Sequence, residues 1–119
     1  MGRFYQLVVD SQDPAALAGF WAAALELTIL YETEDEVIIG RDAHEYPGIC
    51  FVPVSGPKTG KNRLHIDIDP DDQATEVERL IGLGAQRIDI GQGAVNWVVL
   101  ADPEGNEFDV LIPHRSLID

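Results

Sequence analysis

A single cysteine, Cys50, is all the thiol chemistry the chain has. An internal disulfide is therefore excluded, and so is a zinc site built on several cysteines. Cys50 lies in the apolar run GICFVPV, where a buried, inert thiol is expected. Basic residues are scarce too: Lys and Arg total 8 against 21 Asp and Glu, for a net charge of −13. Such a field repels phosphate backbones and anionic membrane surfaces, and no basic cluster offsets it locally. Nucleic acid and membrane are not expected partners. No apolar run approaches the roughly 18 residues that suggest a membrane span. The opening MGRFYQLVVD has no apolar h-region before a small-residue cleavage site, and it lacks the Ser or Thr of a myristoylation signal. A cytoplasmic protein is expected. Nucleotide and acyl-transfer signatures are missing as well. GPKTGK lacks the P-loop spacing, GLGAQ reads as a helix end, and there is no Gly-x-Ser-x-Gly elbow.

What is present is the composition of an ordinary globular domain, with 119 residues of which 45% are apolar. Two helices stand out. In DSQDPAALAGFWAAALEL, Asp13 suits the cap and Pro14 the first helical position. Leu17, Phe20, Trp21, Ala24 and Leu25 then recur on one face. DPDDQATEVERLIGLG repeats the design, with Asp69 as cap, Pro70 next, and Ala74, Val77, Leu80 and Ile81 as the stripe. Gly82 or Gly84 ends it. A strand precedes each helix (RFYQLVVD, NRLHIDID) and three follow: LTILYE, EVIIGR and GICFVPV, then AQRIDIG, NWVVLAD and EFDVLIP. The chain reads as β-α-β-β-β written twice, an α+β fold. Module one covers 1–54, a linker of Gly, Pro and Lys covers 55–61, and module two covers 62–119. Neither module has enough apolar residues for an independent core, so one domain over 1–119 is expected. In DPEGNE, Asp102, Pro103 and Gly105 fit a type I turn followed by a positive φ, which makes the last two strands a hairpin.

Three strands carry polar residues where alternation would suit a plain buried sheet. Tyr5, Leu7 and Val9 alternate with Phe4, Gln6 and Val8. Leu64, Ile66 and Ile68 alternate with His65 and Asp67. Phe108, Val110 and Ile112 alternate with Glu107, Asp109 and Leu111. The first set in each is expected under the helices, and the second on the other face. Gln6, His65 and Asp109 then share that second face with apolar neighbours, a mixture suited to a partly enclosed surface. An amide oxygen, an imidazole and a carboxylate form a plausible set for a divalent ion such as Zn²⁺, Ni²⁺, Mn²⁺ or Fe²⁺. Polar residues on solvated strand faces are the alternative. Asp67 is either an orienting partner for the free ring nitrogen of His65 or a water-facing residue. His44 and His114 read as surface residues, and Trp97 as core or cleft wall.

The paired modules, the DP…L..FW…L helix and the closing ADPEGNEFDVL resemble the vicinal oxygen chelate superfamily. Its members include glyoxalase I, extradiol dioxygenases and bleomycin-resistance proteins. GPKTGKNRLHIDI resembles the glyoxalase-like branch. The resemblance covers nearly the whole chain. It implies modules forming a curved sheet around a small-molecule cleft, with metal ligands from the first and last strand of each module. By position these are Gln6, His65 and Asp109, with Asp109 as a ligand or a base. The fourth place falls near Cys50 to Val52, where GICFVPV has no carboxylate; the pattern of glyoxalase I is therefore incomplete. Phe4, Phe51, Val52 and Trp97 become candidate cleft residues. The implied activity is lyase or isomerase chemistry on a small oxygenated substrate, its two oxygens held by the metal. The alternative is a metal-free protein that sequesters a small molecule, as bleomycin-resistance proteins do. The resemblance also admits a homodimer.

Overall fold

The computed structural model describes residues 1–118. It divides into two units, one from Met1 to Pro57 and one from Lys58 onward. Each is a βαβββ module with its own four-stranded sheet, so the chain is α+β with the duplicated order of elements that its sequence pattern predicts.

The first unit runs β1 (Gln6–Ser11), α1 (Pro14–Leu25), β2 (Thr28–Glu32), β3 (Val37–Gly40) and β4 (Gly48–Pro53). Its strand order is β1-β4-β3-β2. β1 pairs with β4 in parallel, and the other pairs are antiparallel. A parallel pair needs a long crossover, which α1, β2 and β3 supply. The helix starts as expected: the Asp13 carboxylate accepts from the Ala16 N–H at 3.2 Å, and Pro14 occupies the first turn. It stops at Glu26, which takes a left-handed conformation at φ 55°. The Leu27 N–H then reaches back to the Ala22 carbonyl at 2.8 Å, satisfying an otherwise orphaned acceptor.

Register explains the core. Val9 lies opposite Phe51, and Phe51 opposite Val37, so these three share a face. α1 packs on β3 and β4 and covers that face. Leu17, Phe20 and Trp21 are buried there with Val37, Ile39 and Phe51. The Phe20 and Trp21 rings meet edge to face at 5.2 Å. Gln6, Val8, Cys50 and Val52 lie on the other face. Burial and then the charge of Glu36 push the Cys50 thiol up, so it stays protonated and unreactive at neutral pH.

The second unit runs β5 (Asp67–Ile68), α2 (Gln73–Leu83), β6 (Gln86–Arg87), β7 (Val98–Ala101) and β8 (Glu107–Val110). Its order, β5-β8-β7-β6, repeats the first, with β5 and β8 parallel. Ile68, Phe108, Val110 and Leu100 are buried with Val77 and Leu80 of α2. The final hairpin turns as expected: Asp102 Oδ1 accepts from the Glu104 and Asn106 N–H groups at 2.9 Å, and Gly105 has φ 86°.

Several expectations are corrected. Leu64, Tyr5 and Ile112 do not pack under helices; all three are exposed. Ala74 is exposed too, which narrows the α2 stripe. The strand NRLHIDID contributes only Asp67 and Ile68 to the ladder. Upstream, the Asn62 side chain donates to the Glu107 carbonyl at 3.2 Å, an acceptor that a continued ladder would use. Within residues 55–61, Lys58 and Lys61 both contact Glu107. Finally, α2 is capped by Asp72, not Asp69: Asp72 Oδ2 accepts from the Thr75 N–H at 2.9 Å. Asp69 instead accepts from the His114 N–H at 2.7 Å. Asp72→Ala should therefore lower stability through loss of the cap. Asp69→Ala should leave the helix start intact, and helicity followed through urea unfolding distinguishes the two.

Candidate metal centre

The β5–β8 pairing builds the site. Asp67 and Asp109 are direct register partners, and side chains at register partners project from the same face. Just before β5, the Ile66 carbonyl accepts from the Asp109 N–H at 3.1 Å. This holds the preceding residue, His65, beside the two carboxylates. His65 Nε2 lies 3.2 Å from Asp67 Oδ1 and 3.1 Å from Asp109 Oδ2. The three donor atoms all lie within 4.8 Å of one another. Ligands about 2 Å from a shared metal ion stand roughly 3–4 Å apart from each other, so little movement is needed to admit one.

The three residues differ in solvent access. The side chains of His65 and Asp67 are 46% and 49% exposed, while that of Asp109 is 14% exposed. Burial pushes the Asp109 carboxyl above the ordinary aspartate value; the His65 charge opposes this and the neighbouring Asp67 charge adds to it. An ion could thus be reached from water on the His65–Asp67 side while Asp109 anchors it from beneath.

A group with a raised folded-state pKa loses stability as pH climbs from its unfolded value through its folded value, because the unfolded state gives up its proton first. Asp109 therefore costs stability in the metal-free protein at neutral pH. Asp109→Asn should raise the midpoint of thermal unfolding at pH 7 and weaken metal binding, with the stability gain vanishing at acid pH. A gain that persists undiminished at pH 3 would contradict this origin.

Of the expected metal ligands, His65 and Asp109 meet within the second unit. Gln6 belongs to the first, half-buried at the head of β1 and opposite Gly48. Asp67 joins the cluster in a way the sequence reading misses. It faces the same ring nitrogen that Asp109 faces, where the expectation was a contact to the other nitrogen. Its parity with His65 was the available signal. Among the candidate cleft residues, Phe4 is 65% and Trp97 38% exposed, so Trp97 is not a core residue. Val52 is half-buried. Phe51 has no accessible surface and presents nothing to a ligand; the unbroken apolar run of β4 hid the fact that it faces α1.

Glu107, two positions before Asp109 on β8, shares its face and is buried. Its Oε2 is 3.2 Å from Lys58 Nζ and its Oε1 accepts from the Asn62 N–H at 3.3 Å. Burial pushes this carboxyl up, but its own backbone N–H, Lys58 and Asn62 more than offset that and hold it below the ordinary glutamate value.

Solved structures with this arrangement of elements define the class. A glyoxalase/bleomycin resistance protein/dioxygenase family enzyme from Burkholderia phytofirmans superposes with a TM-score of 0.72 at 17% identity, over 95% of this chain and 100% of that one. The fosfomycin resistance protein FosX of Listeria monocytogenes gives 0.69 at 15% identity, over 99% and 97%. Glyoxalase I of Leishmania major gives 0.66 at 13% identity, over 94% of this chain and 87% of that one. At these identities the likeness is one of fold. No curated protein matches the chain. Residues 6–111 match the family described as a glyoxalase-like domain, and the chain belongs to that family.

Proposed function

We propose that this glyoxalase-like protein binds a divalent metal ion at His65, Asp67 and Asp109 and uses it in lyase or isomerase chemistry on a small oxygenated substrate. The observation that carries the reading is the placing of two carboxylate oxygens at 3.1 and 3.2 Å from one imidazole nitrogen. A single N–H has one hydrogen to give, so two near-equal acceptors suit a cation set among the three atoms. The charges agree: a neutral imidazole with two carboxylates leaves −2, which a divalent ion balances. One nitrogen and two oxygen donors also suit Zn²⁺, Ni²⁺, Mn²⁺ and Fe²⁺. Such an ion, when bound, would act as a Lewis acid toward substrate oxygens.

The chain's own contribution is positional. His65 and Asp67 hold the exposed side of the site, and Asp109 supplies a shielded carboxylate able to ligate or to accept a proton. Gln6 enters as a further oxygen donor only on the family resemblance. The named relatives act in glyoxalase chemistry and fosfomycin resistance, which makes a small polar molecule the substrate class to test first. Metal-free sequestration of a small molecule is the second reading. It is favoured by residues 48–53, which read GICFVP and offer no acidic ligand.

Titration calorimetry of the untagged protein with Zn²⁺, Ni²⁺ and Mn²⁺, paired with thermal unfolding, tests the proposal. Binding should raise stability by about 2.7 kcal/mol at a free-ion concentration near a hundred times the Kd, and chelation should remove the gain. Absence of both heat and stabilisation would leave the metal-free reading.

A further inference from the structure

We propose that Glu107 is a positioning residue for His65, its buried carboxylate latching the incoming loop so that the imidazole is presented to Asp67 and Asp109. The inference rests on the reading of those three residues as the site. Residues 58–66 form neither helix nor strand, so no ladder of backbone hydrogen bonds holds the segment that delivers His65. Two attachments to β8 hold it instead. Downstream, the Ile66 carbonyl meets the Asp109 N–H. Upstream, everything converges on Glu107. Its Oε1 accepts from the Asn62 N–H at 3.3 Å, its carbonyl accepts from Asn62 Nδ2 at 3.2 Å, and its Oε2 pairs with Lys58 at 3.2 Å. Lys61 adds a longer contact at 3.9 Å. Lys58 also donates to the Gly60 carbonyl, which folds the loop back on itself.

Between the two attachments lie only Arg63, Leu64 and His65, all exposed. Three residues spanning two fixed points leave the imidazole little freedom, whereas release of the upstream point would free the whole segment from Lys58 to His65. Glu107 and Asp109 sit on one face of one short strand. The same rigid element thus carries a carboxylate of the site and the anchor for its histidine. The side chain of Glu107 is only 8% exposed. A charge so buried is retained only with partners, and apart from its own backbone N–H those partners, Lys58, Lys61 and Asn62, come from the loop before His65.

The test uses the full chain and three variants: Glu107→Ala, Glu107→Gln and Asn62→Ala. Imidazole nitrogen resonances are followed by NMR without metal, and Zn²⁺ affinity is measured by calorimetry. Glu107→Ala should shift and broaden the His65 resonances, leave those of His44 and His114 in place, and weaken Zn²⁺ binding about 10–100-fold. Glu107→Gln keeps an acceptor for Asn62 but loses the Lys58 pairing, so it should fall between parent and alanine. Asn62→Ala should move the His65 signals in the same direction. Should Glu107→Ala fail to fold, the other two variants decide. Unchanged His65 signals in both would overturn the proposal, as would shifts of equal size at all three histidines, which mark general loosening. The resonances report on His65 even in a protein that takes up no Zn²⁺, so a failure of the metal reading is separable from a failure of this one.

Discussion

Replacing His65 with alanine should lower divalent-metal affinity by at least about 100-fold, roughly 2.7 kcal/mol. Three atoms define the cluster, and His65 supplies its only nitrogen. Two carboxylates alone resemble many exposed acidic pairs that hold no ion, whereas imidazole gives Zn²⁺ and Ni²⁺ a strong and directional donor. The loss should be largest for these two ions and smaller for Mn²⁺, which favours oxygen. His44 and His114 serve as controls. His44 lies in an exposed loop, with its N–H donating to Asp42, and His114 lies beside Asp69. Neither is one of the three residues of the cluster, so their alanine variants should bind as the parent does. Calorimetric titration of the three variants separates the cases. An unchanged Kd in His65→Ala would place any bound metal elsewhere.

The largest stability effect is expected at Phe51. Its side chain is fully buried on the face that α1 covers, with Val37 and Ile39. Phe51→Ala should cost about 3–5 kcal/mol, from lost burial and the cavity left behind. Phe4→Ala offers the contrast: Phe4 is 65% exposed, and its loss should change stability by less than about 0.5 kcal/mol. Denaturant unfolding reads both. Near-equal effects would contradict the assignment of Phe51 to the core and revive its role as a ligand contact.

How far the sequence disclosed this molecule depends on whether the deciding force is local. Asp13 and Pro14 at α1, and Asp102 and Gly105 in the last hairpin, act on residues within a turn of themselves, and each was legible. The cap of α2 was less so, because DPDD offers three aspartates and only geometry selects Asp72. Phe51 and Val52 could not be told apart because GICFVP is apolar on both faces and has no period to read. At the candidate site, strand parity placed His65 and Asp109 on one face. It could not show that Asp67 would meet the same nitrogen, since that depends on how the ring is turned. Glu107 was the least visible. Its partner Asn62 is 45 residues away in the chain, and no local pattern links them.

The most direct measurement is anomalous diffraction from crystals grown with Zn²⁺ and recorded on both sides of the zinc absorption edge. A single strong peak is predicted about 2.0–2.2 Å from His65 Nε2 and from carboxylate oxygens of Asp67 and Asp109. A well-occupied peak elsewhere on the molecule, or none at a Zn²⁺ concentration that gives calorimetric heat, would contradict the assignment of these three residues as the metal centre.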